Sequence, residues 1–538
     1  MRDGNIPALS AITTPAPKRK MPVASLTKTL ASAAILLSVF PPVAWAADRG
    51  VAQQRPNIIV ILADDLGKND LSIDGNPFVS TPNMDSIARD GARFATGYAS
   101  DAICAPSRAG LLTGRDPERF GFEFLPYGPK GFPDMSDSMP GYAPMILPPH
   151  LAATPDQDGL SPKELTIAAL LKTGGYRTGA IGKWHLGTAP VLQPLAHGFD
   201  EFVGFLGGAS LYADPGDPAV IIGREPWAGR DALNWKIRKF QIRRNNDGPQ
   251  PAKGYMTDIL TDEAVGFIDR NASKPFFLYL AYNAPHEPLQ APKAIYDKLG
   301  VIKDENTRIY YAMVESLDSG VGRVLDELKK QGLDKNTLIF LMSDNGAAPL
   351  SRTRNRISNL PYRGSKMTYF EGGLNVPFFV RWPAKIKTGT VLRGPASELD
   401  VLPTIMDAAG LSLPTDRVYD GVDLMPVLTG NDPNALDARP PLVWRKEHYY
   451  AVRDGQYMLQ VSQYPKKTWL FDLERDPTER INLADQMPDV VARLKAIFAK
   501  RATSYVAPLW GPSARSRVDI DGASDLGDLN QEHVYWAN

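Results

Sequence analysis

The sequence predicts an α/β fold: a large mixed, mainly parallel sheet between helices, plus a small C-terminal α+β domain with an antiparallel sheet. Three observations predict it. Short apolar runs alternate with helical patterns through most of the chain before residue 434. Four of those runs end in clusters of residues that do chemistry. After residue 434 the pattern changes to closely spaced β runs and one amphipathic helix. Alternating strands and helices argue for parallel strands covered on both faces.

The chain opens on a leader. Lys18, Arg19 and Lys20 precede Met21, an alternative start; Lys28 then leads into TLASAAILLSVF and PPVAWAAD. Ala44-Trp45-Ala46 has the small-x-small spacing of a signal-peptidase site, so residues 1–46 read as an export signal cleaved after Ala46. The apolar run is short for a membrane span. These features predict an exported, periplasmic or secreted protein with no membrane span after cleavage.

A large first domain follows, over residues 47–433. Its strands are NIIVILADD, ending at Asp64 and Asp65; YRTGAIGKWHLG, running into Lys183 and His185; PFFLYLAYNAPHEP, ending near His286; and TLIFLMSDNG, ending at Asp344 and Asn345. The helical patterns are TPNMDSIARDGARF, SPKELTIAALLKTGGY, YMTDILTDEAVGFIDRN and NTRIYYAMVESLDSGVGRVLDELKKQG, the last stopping at Gly332. Ligands of such sheets sit beyond the carboxyl ends of the strands. Residues 434–538 read as an α+β subdomain: PLVWRKEHYYAVRD, GQYMLQVSQY and TWLFDLERDP as antiparallel strands, PDVVARLKAIFAKRATSY as a helix, and a polar, acidic tail after Trp510.

Lys and Arg balance Asp and Glu, 60 against 60, which gives no nucleic-acid or anionic-membrane signature. Asp64, Asp65, Asp344 and Asn345 form an all-oxygen set, suited to a hard cation such as calcium or magnesium. The same residues also suit a helix cap and a turn. Cys104 is the only cysteine. Pro106 places it at the N-terminus of a helix ending near Gly114, where a thiolate is favoured; a buried structural thiol is the alternative. Arg108, Lys183, His185, His286 and Lys366 together suit a tetrahedral oxyanion and protonation of a leaving group. Taken singly, each is as well explained by a surface or core position.

Two further segments stand out. Residues 120–159, rich in Pro, Met and aromatics, read as an insertion that walls an apolar pocket or forms a surface loop. REPWAGRDALNWKIRKFQIRR, residues 224–244, carries seven Arg or Lys and suits an anionic substrate, a solvated loop or an oligomer contact.

In order along the chain, these motifs resemble the type I, formylglycine-dependent sulfatases, arylsulfatase-like members of the alkaline phosphatase-like superfamily. The likeness covers about residues 55–485. Cys104-Ala-Pro-Ser-Arg108 followed by AGLLTGR resembles the C-x-P-x-R…TGR signature, and GKWHLG the second signature. Asp64-Asp65, APHEP, SDNG, RGSK…EGG and FDLERDPTERINL keep the family order. The resemblance implies that a formylglycine-generating enzyme converts Cys104 to Cα-formylglycine. It implies one Ca2+ ion, in preference to Mg2+, held by Asp64, Asp65, Asp344, Asn345 and residue 104. Arg108 and His185 are then expected at the nucleophile, Lys183 and Lys366 at sulfate oxygens, and His286 as general acid. The expected reaction is hydrolysis of an aryl or carbohydrate sulfate ester.

Two other functions compete: a phosphonate monoester or phosphodiester hydrolase of the same superfamily, and a non-catalytic sulfated-glycan-binding relative. Asp344-Asn345-Gly346, where the phosphonate and phosphodiester enzymes usually resemble Asp-His-Gly, favours the sulfatase. SELDVLPT, residues 397–404, departs from the family in lacking a preceding His, which bears on substrate-side contacts.

Overall fold

The computed structural model describes residues 55–126, 143–144, 158–223, 240–348, 359–512, 514–521 and 532–537. The leader, most of the 120–159 insertion and residues 224–239 of the basic segment lie outside the described residues.

The continuous apolar run Asn57–Asp64 is strand β1, buried at all eight positions. Ala92–Phe94 (β2), Arg177–Lys183 (β3), Glu201–Phe205 (β4), Gln241–Arg244 (β5), Gln250–Pro251 (β6), Phe276–Pro285 (β7), Thr337–Ser343 (β8), Phe378–Arg381 (β9) and Thr390–Leu392 (β10) join it. The order is β10-β2-β9-β8-β1-β7-β3-β4-β5-β6. The central five, β8-β1-β7-β3-β4, are parallel. Antiparallel pairings appear only toward the edges, β8 with β9, β9 with β2, β4 with β5, and β5 with β6.

Alternation along β1 feeds two cores. Ile58, Val60 and Leu62 pack on one face with helices α2 (Cys104–Thr113) and α3 (Ile167–Thr173). Ile59, Ile61 and Ala63 pack on the other with Pro82–Arg89, Met256–Asn271 and Glu305–Lys330. The long helix Glu305–Lys330 starts where the Asp304 carboxylate accepts the Thr307 N–H at 2.9 Å. It gives way to Gly332 at φ +68°.

Two helical expectations are shorter in the structure. The first helix ends at Arg89, and Ala92–Phe94 becomes a strand instead. A Cβ at Gly91 would lie 2.3 Å from the Val380 carbonyl oxygen, so this chain reversal onto the sheet needs glycine. The second helix begins only at Ile167, where the Thr166 hydroxyl accepts the Ala169 N–H at 3.2 Å.

The C-terminal sheet is antiparallel and four-stranded: Leu442–Lys446, Tyr449–Asp454, Tyr457–Gln463 and Lys466–Asp472. PLVWRKEHYYAVRD is a hairpin, turning at Glu447 with φ +50°. Helix Pro488–Ala502 covers one face, with Leu494 against Val443, Val452, Leu459 and Leu470. The other face carries Trp444, Met458, Trp469 and Phe471 and joins the cluster of Tyr98, Ile103 and Cys104. The C-terminal sheet therefore backs the segment that enters α2.

The described part of the tail forms two strands. Ala514–Asp519 and His533–Ala537 pair with each other, and Ala514–Asp519 also with Ala143–Pro144. Val518 alternates with Ile520 and Val534 with Trp536, and all four lie buried in the cluster that holds Trp444 and Tyr369. Among the described residues, no helix is long and apolar enough to cross a membrane.

Candidate active site

Because β1, β3, β7 and β8 are parallel, their carboxyl ends open on one edge of the sheet. Asp64 and Asp65 close β1, Lys183 closes β3 with His185 beyond, His286 follows β7, and Asp344 and Asn345 follow β8. Helix α2 brings Cys104 and Arg108, and the loop after residue 362 brings Lys366. The structure thus assembles every candidate residue read from the sequence.

Each carboxylate meets a cation. Lys183 Nζ donates to Asp64 Oδ2 at 2.7 Å. Lys366 Nζ lies 2.8 Å from Asp65 Oδ1 and 3.0 Å from Oδ2. Arg108 Nε donates to Asp344 Oδ2 at 2.9 Å, and Arg108 Nη1 to the Lys183 carbonyl at 3.0 Å. Asn345 Nδ2 donates to Asp65 Oδ1 at 2.6 Å. One ligating atom from each of Asp64, Asp65, Cys104 and His286 falls within 4.8 Å of the others. All these groups are buried or nearly so.

Burial sets the protonation pattern. It would raise the Asp65 carboxyl, but Lys366 and His286 beside it hold it down at about 2. Burial and then Asp64 push the Asp344 carboxyl up to about 6, against the pull of Arg108. Burial opposes the charges of Arg108 and Lys366, yet Asp344 and Asp65 respectively hold both above their ordinary values. Burial and Lys183 push the His185 ring well below its usual value. Burial and Lys366 take His286 down to about 3. His286 Nδ1 sits 2.6 Å from the Glu287 carbonyl, so Nδ1 carries the hydrogen and Nε2 faces Asp65 at 3.6 Å.

Cys104 does begin a helix, closed at Gly114 with φ +65°. That position does not make it a thiolate: burial pushes the thiol up to about 11, with Lys183 and Lys366 offsetting only part. A direct thiolate nucleophile is disfavoured here.

The donor set suits a hard cation. Asp64 Oδ1 and Asn345 Oδ1 are buried acceptors without a hydrogen-bond partner among the described residues. Leaving such oxygens unpaired is costly unless something else fills them. Oxygen donors from three carboxylates and an amide match calcium or magnesium chemistry.

Sequence reasoning missed several supporting groups. Tyr310, in the long helix, donates to the Asp65 carbonyl at 3.0 Å and to Asp70 Oδ2 at 2.6 Å. Glu398, inside SELDVLPT, is fully buried and accepts from the Ser107 hydroxyl at 2.5 Å and the Ser100 N–H at 2.9 Å. This segment therefore anchors α2 from behind. Asn283, three residues before His286, is buried, with neither side-chain polar atom partnered among the described residues. A Cβ at Gly208 would lie 2.7 Å from the His185 ring, so glycine gives that ring its place. A serine after C-x-P and a polar residue ending an apolar strand are the only traces these leave in the sequence.

Comparison with known proteins identifies the family. The Sulfatase family model matches residues 56–411, and a second, described as N-sulphoglucosamine sulphohydrolase, C-terminal, matches residues 365–503. The chain is 32% identical over 525 residues to N-acetylgalactosamine-6-sulfatase of Mus musculus, covering 90% of this chain and 91% of that protein. It is 34% identical over 458 residues to the steryl-sulfatase of Mus musculus, covering 74% and 69%. The crystal structure of Ps i-CgsB in complex with k-i-k-neocarrahexaose superposes with a TM-score of 0.71 at 31% identity, over 85% of this chain and 95% of that one. With matches of this extent and the polar strand ends gathered at one edge, the chain belongs to the sulfatase family of the alkaline phosphatase-like superfamily and is a sulfuric ester hydrolase.

Proposed function

We propose that the enzyme hydrolyses carbohydrate sulfate esters, with Cys104 matured to Cα-formylglycine and one calcium ion in the site. The observation that carries this reading is the convergence of Asp64, Asp65, Cys104 and His286 within 4.8 Å. The thiol in the structure stands in for the hydrated aldehyde. Asp64, Asp65, Asp344 and Asn345, with residue 104, would hold the ion. Bound there, the ion would polarise the sulfate and favour the ionised nucleophile. The hydrated aldehyde supplies two hydroxyls: one displaces the alcohol from sulfur, and loss of sulfate re-forms the aldehyde with the other.

The chain's own groups do the rest. Arg108, kept charged by Asp344, stays fixed beside residue 104. Lys183 and Lys366 bind sulfate oxygens as fixed cations. Burial and the nearby lysines keep His286 neutral; an anionic ester seated against those lysines offsets their part, so Nε2 takes a proton from solvent and gives it to the leaving oxygen. Lys366 holds a second proton close by. His185, neutral and positioned by Gly208, assists release of sulfate.

Carbohydrate esters are favoured by two names: N-acetylgalactosamine-6-sulfatase and a neighbour solved with a neocarrahexaose. The leader would direct export, with residues 47–433 as the catalytic domain and 434–538 as a subdomain behind it. The test is release of inorganic sulfate by matured enzyme from N-acetylgalactosamine 6-sulfate, sulfated oligosaccharides and 4-nitrophenyl sulfate, beside matched phosphonate and phosphodiester substrates. Highest kcat/KM on a sugar sulfate is expected. Preference for a phosphonate or phosphodiester would transfer the assignment to that class, and no turnover of any ester would leave a binding protein.

A further inference from the structure

The loop that carries Lys366 is tied to the end of the chain. Three residues before Lys366, the buried Arg363 forks onto Asp521, with Nε to Oδ1 at 2.7 Å and Nη2 to Oδ2 at 2.5 Å. The same Nη2 donates to Glu532. The Gly364 N–H donates to the Ile520 carbonyl at 3.1 Å, and the Ile520 N–H to the Glu532 carbonyl at 2.8 Å. Glu532 is itself held by the Trp469 indole N–H at 3.2 Å and by Lys467. Trp536 packs edge-on against Tyr369 with centroids 5.1 Å apart. Both family models end before this tail, at residues 411 and 503.

Without the tail, Arg363 keeps the Glu479 carbonyl at 3.1 Å and the Phe370 ring at 5.2 Å, but loses both carboxylates. A buried guanidinium stripped of its counter-charges is strongly destabilised where it stands. Its escape toward water would drag the backbone that leads into Lys366, whose ammonium must stay within reach of Asp65. A small displacement of a sulfate-binding cation is enough to lower turnover.

We propose that the C-terminal tail is a positioning element of the active site, acting through the Arg363 fork to place Lys366. This rests on the reading of Lys366 as a sulfate-binding group. The test uses the full-length matured enzyme with the double substitution Asp521→Asn, Glu532→Gln, and separately Arg363→Lys, which keeps the charge and removes the fork. Inorganic sulfate affinity by calorimetry, kcat on a sulfate ester, and the thermal midpoint are measured for each, alone and combined with Lys366→Ala.

Both tail-side changes are expected to weaken sulfate binding and lower kcat roughly five- to tenfold, with no further loss of sulfate affinity in the Lys366→Ala background. Fully additive losses, or unchanged sulfate affinity in a folded Arg363→Lys enzyme, would overturn the proposal. If Lys366→Ala alone leaves sulfate affinity and kcat unchanged, the fault lies in the reading of Lys366. If the double substitution prevents folding, Arg363→Lys decides the question.

Discussion

The Tyr310 hydroxyl lies 3.0 Å from the backbone carbonyl of Asp65, and Asp65 holds a left-handed backbone, φ +62°. A non-glycine residue in that region stores about 1–3 kcal/mol and persists only where its surroundings fix it. Tyr310 also reaches Asp70 Oδ2, which accepts the Gly67 N–H at 2.8 Å, so one hydroxyl ties the long helix to both sides of the Asp65 bend.

Replacing Tyr310 with Phe leaves the Asp65 carbonyl and Asp70 short of a partner. A stability loss of about 1–3 kcal/mol is expected, together with weaker calcium binding. Calcium titration followed by thermal midpoint reads both. Unchanged calcium affinity would confine Tyr310 to a packing role.

Chelation supplies a second prediction. Asp64 Oδ1 and Asn345 Oδ1 lack hydrogen-bond partners among the described residues, and a divalent ion filling them would bind the native state alone. At an ion concentration about a hundred times its Kd, it stabilises by about 2.7 kcal/mol. The thermal midpoint should fall on addition of a chelator and recover more fully with calcium than with magnesium. Asn345→Ala should abolish most of that response.

A third prediction concerns residue 104. A serine there can accept sulfate from the ester but lacks the second hydroxyl that expels it. Cys104→Ser is expected to release alcohol in a single burst, no larger than one equivalent per chain, and then stop. Continued turnover near the rate of the matured enzyme would exclude the diol mechanism.

The pH dependence of stability has a definite sign at His197. Burial takes this ring down to about 4 from 6.5. Below pH 6.5 the unfolded chain gains a proton that the native ring refuses, so its contribution is intact above pH 6.5 and declines as pH falls toward 4. The loss between pH 6.5 and 5 is of order 2 kcal/mol. Unfolding of wild type and His197→Gln at both pH values checks this, and the variant should lose less on acidification.

Much of the site was readable because each of its strands is a continuous buried run, and such runs stop where polar chemistry begins. Asp64, Lys183, His286 and Asp344 all mark such stops. Pro106 and Gly114 framed α2 in the same local way. What stayed hidden depends on partners distant in sequence. Ala92–Phe94 looked like the end of a helix because only its neighbours in the sheet, β9 and β10, make it a strand. Tyr310 lies within a helical pattern, and nothing local shows that its hydroxyl meets Asp65, 245 residues away. Arg363 finds Asp521 and Glu532 at separations of 158 and 169 residues, across a tail whose polar composition masks the alternation of Val518 with Ile520 and of Val534 with Trp536.

If residue 104 works as an aldehyde hydrate, the mass of the peptide spanning Phe94 to Arg108 shows it. The protein should be made with an active formylglycine-generating system and assayed in the same preparation. Conversion of the thiol to an aldehyde, trapped by a hydrazide probe and rising in proportion to specific activity, is the predicted result. An intact Cys104 thiol in enzyme that turns over sulfate esters at full rate would contradict the account.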